Sequence, residues 1–363
     1  MQRIALVFTA LFLAACSSSK PAIVGCEPVG EITPYCNMQT PEDIAALPDG
    51  RHLLLAHFGH MGESSGSISL WDTQTESLTP LFPAAAGAPE AADEIWGQAD
   101  CTAPPNASFS PHGTHLHQLA NGRWRYLVVN HGDREAVELF ELRMDGDTPA
   151  LAWRGCVVAH HGDTMMNDVV GLDNGDLIYS RMFGGSDALA LIKSLFKIDT
   201  GELWRWHRAT GLEPLPATSA AQPNGLEISA DNRYVFANMY MEEQVWKVRL
   251  ADGEVVERYA IANADNSSWG SDGRLWVASH TMGLLDIVGC FSQSSAACPG
   301  SFAIVALDTG TGETETVFEH AGPPMGAATV AVPQGGRVYL GSFVGDRMIA
   351  VPDFTQAGHG ETR

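Results

Sequence analysis

One unit recurs six times between Pro41 and Ser342, and this repetition constrains the fold more than any other feature of the chain. Each copy has a polar or small residue, a short semi-apolar run, a tight turn and a compact apolar strand. In chain order the copies read PEDIAALPDGRHLLLA, PHGTHLHQLANGRWRYLVV, MNDVVGLDNGDLIYS, PNGLEISADNRYVFA, ADNSSWGSDGRLWVA and MGAATVAVPQGGRVYLGS. The turns carry Asx-Gly, Asp-Asn or Gly-Gly pairs, which tolerate the positive φ of two-residue hairpin loops. Each copy therefore predicts one β-hairpin.

Six hairpins at intervals of roughly 40–70 residues match the ~40–50-residue period of propeller blades. A sandwich or barrel also contains such turns and strands, but it does not require opener, turn and strand in the same order six times. We therefore predict an all-β, six-bladed β-propeller with a central channel. The polar or small residues that open the copies should converge at one channel mouth. They are Glu42, Asp43, His112, Asn167, Asp168, Asn224, Asp265, Asn266 and Gly326.

The start of the chain is predicted to be removed rather than folded. Residues 1–15 have a charged start and the short apolar core of a signal peptide. The Leu13-Ala14-Ala15-Cys16 stretch resembles a bacterial lipobox, which predicts cleavage before Cys16 and its lipidation; plain signal cleavage is the alternative. Residues 16–25 would then form anchor and tether, 26–356 the propeller and 357–363 a tail. This pattern predicts a lipid-anchored protein of the bacterial cell envelope. We expect it on the outer membrane, facing either the periplasm or the cell exterior.

The charge balance limits the partners. The chain has 43 acidic and 21 basic residues, a net charge of −22. Such a surface repels phosphate backbones and anionic lipids. We therefore expect no nucleic-acid partner, and membrane contact only through the anchor.

Six cysteines remain once Cys16 carries lipid. An even number in an exported chain favours disulfides, although six thiols allow fifteen pairings. The short intervening loops favour Cys26–Cys36 and Cys290–Cys298.

Two stretches interrupt the blade pattern and are predicted to cover the channel mouth. Residues 82–101 are rich in Ala and Pro, and a solvated insertion is an equal alternative for them. Residues 186–195 have a helix-compatible composition.

The blade-opening residues supply the oxygen ligands that calcium prefers. A mixture of two or three carboxylates with carboxamides would hold Ca²⁺ and leave it able to polarise a substrate. Adjacent side chains in an extended strand point to opposite faces, so Glu42 and Asp43, like Asn167 and Asp168, could serve two different ions. Any one of these residues taken alone is more simply a strand-end hydrogen-bonding group.

Three of the thirteen histidines adjoin these openers, namely His112, His131 and His280. A histidine can take a proton from water at neutral pH, and a second one can orient it or relay the proton. The sequence lacks the zinc-protease motif HExxH and the phosphate-binding P-loop.

The copies together resemble the paraoxonase/arylesterase family of six-bladed calcium propellers. The matching pieces, in the family's order, are PED with its LPDG turn from residue 41, PHG at 111–113, VVNH at 128–131 leading into VELF at 137–140, NDVV at 167–170, NG at 224–225 with ISADNRYVF, DN at 265–266, and LWVA at 275–278 with His280. The chain is more distantly similar to the gluconolactonase/regucalcin propellers, whose usual set lacks the two paired histidines.

The resemblance implies two calcium ions. A catalytic ion would be held by Glu42, Asn167, Asn224, Asp265 and Asn266, and a structural ion by Asp43, Asp168 and the backbone carbonyl of Thr114. His112 paired with His131 would activate water, with His280 near the site in a role left open. The implied activity is hydrolysis of small-molecule lactones and aryl esters, with organophosphates as promiscuous substrates.

The chain departs from the family in one structural respect. The family's disulfide joins the two chain ends, whereas no cysteine follows Cys298 here, so ring closure is predicted to rest on strand pairing alone. Two other functions stay open: a non-catalytic propeller that binds a small ligand or an envelope protein with structural calcium, and a gluconolactonase-like sugar lactonase.

Overall fold

The computed structural model describes residues 21–59, 64–83, 94–146, 148–159, 164–184, 189–291 and 296–355. Within these residues, 24 strands form six antiparallel sheets of four strands each. The sheets are the blades of a six-bladed β-propeller, as predicted. The predicted signal peptide and Cys16 lie outside the described residues. Of the helices in the described part of the chain, none combines the length and the apolar character needed to cross a bilayer.

The strands follow one another from the channel outwards in each blade. Blade 1 contains β2 (Pro41–Ala46), β3 (His52–His57), β4 (Ser67–Asp72) and β5 (Ser77–Phe82). Blade 2 contains β6 (Pro111–Gln118), β7 (Trp124–Asn130), β8 (Ala136–Arg143) and β9 (Ala150–Val158). Blade 3 contains β10 (Met165–Gly171), β11 (Leu177–Phe183), β12 (Glu202–His207) and β13 (Gly211–Pro214).

The remaining blades repeat the same order. Blade 4 contains β14 (Pro223–Ile228), β15 (Tyr234–Met239), β16 (Gln244–Arg249) and β17 (Val255–Ala260). Blade 5 contains β18 (Ala264–Trp269), β19 (Leu275–His280), β20 (Phe302–Leu307) and β21 (Thr314–His320). Blade 6 contains β22 (Ala328–Gln334), β23 (Arg337–Ser342), β24 (Met348–Pro352) and β1 (Thr33–Tyr35). Two short helices, α1 (Ala190–Leu195) and α2 (Leu284–Phe291), lie in loops of blades 3 and 5.

The predicted turns join the two inner strands of every blade. Each contains a residue with positive φ, which is the left-handed conformation that Gly and Asn accept at little cost. These residues are Gly50, Gly122, Gly175, Asn232, Gly273 and Gly335 with Gly336. The hairpin prediction is confirmed in all six copies.

The apolar core is divided among the six junctions between blades. In β3, Leu54 packs towards blade 2 while Leu53 and Leu55 pack towards blade 6. In β7, Tyr126 and Val128 pack towards blade 1, and the residues that alternate with them pack towards blade 3. Side chains alternate between the two faces of a strand, and here both faces are covered by neighbouring blades. This arrangement explains why the inner strands are apolar runs rather than alternating ones.

Ring closure uses strand pairing and a second device that the sequence analysis missed. Strand β1 pairs with β24 through Thr33 and Ala350, so the start of the propeller completes its last blade. In addition, the buried Arg347 donates to the carbonyl oxygens of Ile23 and Pro324, each at 3.3 Å, and to that of Gly25. The expectation that closure rests on strand pairing alone is therefore wrong. An isolated bridge from Ile23 to residue 297 adds to the same closure.

Three disulfides are present among the described residues. Cys26–Cys36 and Cys290–Cys298 match the predicted pairs, and the third joins Cys101 to Cys156. This third bridge fastens residues 94–101 along β9, where the Trp96 amide donates to the Arg154 carbonyl at 2.7 Å.

The two predicted lids have different outcomes. The described end of the first, residues 94–101, lies on the outer strand of blade 2 and not over the mouth. Residues 84–93 of that stretch lie outside the described residues. Residues 190–195 of the second stretch form α1, whose Leu195 lines the cavity at the channel mouth, and residues 186–188 lie outside the described residues.

We predict that Arg347→Met lowers the free energy of unfolding by about 2–4 kcal/mol, because buried carbonyl groups lose a charged donor. Urea unfolding followed by tryptophan fluorescence measures the change. The matched control is Arg249→Met, since Arg249 makes exposed ion pairs with Asp252 and Glu254, which water and salt screen so that they contribute little to stability. Equal losses in the two variants would contradict the role of Arg347 in ring closure.

Candidate metal centre and histidine pair

All six innermost strands leave their hydrogen-bonded ladder at the same level of the channel. The register with the neighbouring strand shifts between residues 41 and 43, 111 and 114, 166 and 169, 223 and 226, 264 and 267, and 328 and 331. A bulge frees the backbone from its partner and re-aims the side chains within it. The predicted metal ligands of five blades and His112 fall inside these shifts or, for Asp43 and Thr114, at their border.

The sixth opener was placed wrongly. The register shift of β22 contains Thr329, not Gly326, which lies before the strand and donates its amide to the Cys298 carbonyl at 2.7 Å. Thr329 donates its hydroxyl to the backbone carbonyl of Glu42 at 2.5 Å. Blade 6 therefore supports a site residue of blade 1 instead of adding a ligand.

Five oxygen-bearing side chains meet at the channel mouth, and we call these five residues the upper set. Glu42, Asn167, Asn224, Asp265 and Asn266 are all buried. Four of them line a cavity of about 330 Å³, and Asn266 reaches the same place, since its side-chain amide donates to Glu42 Oε1 at 2.9 Å. Residues far apart in the sequence, on blades 1, 3, 4 and 5, thus converge as predicted from the repeats.

The donor set fits a hard divalent cation. Glu42 Oε2, Asn224 Oδ1 and Asn266 Oδ1 are buried and have no hydrogen-bond partner in the protein. Unpaired buried oxygen atoms are costly, and each such group calls for an explanation such as an ion. Among the described residues, no three His, Cys, Asp or Glu side chains cluster as a ready metal site. The oxygen donors here are two carboxylates and three carboxamides, a set suited to Ca²⁺.

The carboxyl pKa values point to the same chemistry. Burial, followed by the charges of Asp43 and Asp265, raises the pKa of Glu42 well above its usual range. Burial raises the pKa of Asp265 to about 7. Buried carboxylates that repel one another become stable as anions when a cation lies between them.

Asp43 and Asp168 turn away from the mouth. They line a second cavity further along the channel, whereas their neighbours Glu42 and Asn167 line the first, as extended-strand geometry predicts. Asp43 Oδ2 accepts hydrogen bonds from the amide and the hydroxyl of Thr114, both at 2.7 Å. Asp168 Oδ2 accepts one from the Leu226 amide at 2.6 Å. Burial raises the pKa of Asp43 to about 6 and that of Asp168 well above its usual range.

His112 and His131 form a direct pair beside the upper set. His112 Nδ1 lies 3.0 Å from His131 Nε2, and His112 Nε2 lies 3.7 Å from Glu42 Oε1. Phe58 stacks on the His112 ring at a centroid distance of 4.6 Å and meets His131 edge-on. Burial, reinforced by His131, lowers the pKa of His112 well below its usual range. His112 is therefore neutral, with one ring nitrogen available as a base.

His280 is near the site, but both of its ring nitrogens are occupied. Its Nδ1 lies 3.0 Å from the Tyr240 hydroxyl, and its Nε2 lies 3.1 Å from the Ala328 carbonyl and 3.5 Å from Asp265 Oδ2. Burial lowers the pKa of His280 to about 4. Because both nitrogens have partners, His280 stabilises the wall of the site and has no nitrogen available for proton transfer.

The sequence analysis missed two parts of the site. One is the apolar wall of the mouth cavity, which includes Met182, Phe183, Met241, Phe291 and Phe343. These residues come from strand ends, from the end of α2 and from short connections, which share no periodicity. The other is Glu135, whose carboxylate lies 2.9 Å from His131 Nδ1.

The structure of this chain is similar to several solved structures. A luciferin-regenerating enzyme gives a TM-score of 0.52 at 14% identity, covering 87% of this chain and 92% of that one. A gluconolactonase from Xanthomonas campestris gives 0.51 at 14%, covering 88% and 89%. Regucalcin, a calcium-binding protein from Agrobacterium tumefaciens, gives 0.50 at 12%, covering 87% and 90%. No protein-family model and no curated protein matches the sequence.

At these identities the similarity establishes the fold and not the activity. The neighbours are propellers of the gluconolactonase and regucalcin type, which is the more distant of the two relationships expected from the sequence. The closer resemblance, to paraoxonases and arylesterases, stays a prediction.

We predict that Asn224→Ala weakens calcium binding about tenfold or more, since it removes an oxygen atom that has no partner within the protein. Isothermal titration calorimetry measures the affinity. The control is Asn232→Gly, at the far turn of the same hairpin, which should bind calcium as the unchanged protein does. Unaltered affinity in Asn224→Ala would remove this residue from the donor set.

Proposed function

We propose that the protein is a calcium-dependent hydrolase of lactones and aryl esters. The observation that carries the proposal is the direct contact between His112 and His131 beside unpartnered oxygen atoms of an apolar cavity. A base next to a cation site is the arrangement that activates water against a carbonyl group. Neighbours described as gluconolactonases support a lactone hydrolase at the coarse level.

The residues divide the work as follows. Glu42, Asn167, Asn224, Asp265 and Asn266 would hold the catalytic ion, and Asp43, Asp168 and Thr114 a second, structural one. A bound cation supplies polarisation of the substrate carbonyl and stabilisation of the charge that develops on its oxygen. His112 takes a proton from the attacking water through Nε2, and His131 receives the proton that His112 releases from Nδ1. Phe58 keeps the His112 ring in plane by stacking on it.

The cavity wall favours an apolar acyl or aryl group over a sugar. Its side chains above the floor are largely Met and Phe, with Leu195 and Ile287 from the two helices. Sugar hydroxyl groups placed against such a wall would lose their hydrogen bonds to water without replacement. Of the two enzymatic readings, the lining therefore supports the lactone and aryl-ester hydrolase over the gluconolactonase-like sugar lactonase.

We predict that the purified protein hydrolyses phenyl acetate and an alkyl-substituted lactone, and loses this activity on treatment with EDTA. His112→Gln should lower kcat by about 10²–10⁴-fold, the usual contribution of a general base, while calcium affinity stays within about twofold. Initial rates and calorimetry on the same samples measure both. Full activity after exhaustive chelation would reject the proposal.

One further outcome would favour the alternative of a non-catalytic binding propeller. In that case calcium raises the melting temperature, yet the protein turns over no ester or lactone in the panel. A sugar lactonase would show the reverse preference, with gluconolactone turned over faster than the alkyl lactone.

We also propose that the protein is held in the cell envelope by lipid on Cys16, on the lipobox-like pattern alone. Cys16→Ser should move the expressed protein from the membrane to the soluble fraction. Cell fractionation with immunoblotting checks this, and the expected control is Cys26→Ser with Cys36→Ser, which should remain in the membrane fraction. Membrane retention of Cys16→Ser would contradict the anchor.

A further inference from the structure

The histidine pair is backed by a carboxylate that comes from the loop before β8. Glu135 meets His131 Nδ1 with both oxygens, at 2.9 Å and 3.1 Å. Its Oε1 also accepts a hydrogen bond from the Met166 amide of β10, at 2.5 Å. The carboxylate is thus fixed between blades 2 and 3, and only about an eighth of the side chain is exposed.

The contacts form one continuous line. It runs from the Glu135 carboxylate through His131 Nδ1 and Nε2 to His112 Nδ1, which lies 3.0 Å from His131 Nε2. It ends at His112 Nε2, which lies 3.7 Å from Glu42 Oε1, and both residues line the mouth cavity. No other acid is placed within hydrogen-bonding distance of His131 among the described residues.

Hydrogen-bond polarity then determines where the protons lie. An ionised carboxylate only accepts, so His131 must carry its hydrogen on Nδ1. With its hydrogen on Nδ1, the His131 ring accepts at Nε2, and its partner His112 therefore donates from Nδ1. His112 Nε2 is left with its lone pair directed at the cavity.

We propose that Glu135 is a positioning residue that sets the tautomers of both histidines, so that His112 presents an unprotonated Nε2 to the attacking water. This inference rests on the proposed function for its catalytic consequence, but the tautomers themselves do not depend on it.

The proton transfers balance with this assignment. Water gives a proton to His112 Nε2 as its oxygen bonds to the carbonyl carbon, and His112 gives its Nδ1 proton to His131 Nε2. The resulting imidazolium of His131 lies against the Glu135 carboxylate, which stabilises its charge. When the carbon–oxygen bond of the ester breaks, the same protons move back and the leaving oxygen takes one from His112. No additional reactant is needed.

Glu135→Gln tests the proposal with little change in shape. The new side chain keeps an oxygen for the Met166 amide and directs its NH₂ group at His131 Nδ1. His131 should then carry its hydrogen on Nε2, His112 should accept on Nδ1, and His112 Nε2 should be protonated and unable to act as a base.

The decisive measurement is ¹⁵N NMR of the imidazole nitrogens, on the calcium-loaded protein with its histidines labelled. We expect Nδ1–H on both His131 and His112 in the unchanged protein, and Nε2–H on His131 in Glu135→Gln. In the same variant kcat should fall about 100-fold with KM within about threefold. Glu135→Asp, which keeps the charge, should retain the native tautomers and recover part of kcat.

The matched control is Asp133→Asn in the same loop. Asp133 contacts Asn130 and the Asn106 amide but neither histidine, so tautomers and kcat should not change. An Nε2–H tautomer of His131 in the unchanged protein, or the same tautomers in Glu135→Gln, would overturn the proposal. Should the unchanged protein hydrolyse no substrate, the proposed function fails while the NMR result still decides the role of Glu135.

Discussion

In this propeller, neighbouring blades cover both faces of each inner strand, and the rest of the structure depends on this constraint. No blade buries its own apolar surface, so the residues of β3 and β7 pack alternately against the preceding and the following blade. The ring must therefore be complete for any blade to be stable, which gives β1, Arg347 and the Ile23 bridge their structural importance. A rigid closed ring in turn fixes the distances between side chains that are far apart in the sequence.

The site forms where this regular packing is interrupted. Each inner strand leaves its ladder at one level, and the freed backbone directs polar side chains to the axis. Glycines permit the close approach this requires: a Cβ on Gly113 would lie 2.4 Å from Asp168 Oδ1, and one on Gly225 would lie 2.4 Å from the Asp265 carbonyl. The result is a set of buried carboxylates and carboxamides whose unpaired oxygens cost stability without an ion. The surrounding strands are buried on both faces, and their packing offsets this loss of stability. A loop could not hold the oxygen atoms in fixed positions.

A large part of this arrangement could be predicted from the sequence. The six turns, the apolar strands and the openers of five blades could be predicted, because local rules decide which residues accept positive φ and which faces are buried. Even the separation of Glu42 from Asp43 into two cavities follows from strand geometry. The sixth opener was misplaced by three residues, because Gly326 resembles a turn residue and the bulge at Thr329 leaves no pattern in a single copy. The segment 94–101 was misjudged because its attachment depends on Cys156 and Arg154, more than 50 residues away.

The chain by itself determined the kind of fold, the number of blades and the chemical types at the channel mouth, since these depend on residue type and on spacing within a hairpin. Only the tertiary structure decided which oxygens lack partners, that both nitrogens of His280 are occupied, and that Glu135 stands behind His131. The physical reason is that hydrogen bonding and desolvation act between groups brought together by ring closure. Such contacts over long sequence separations leave no periodic signal along the chain.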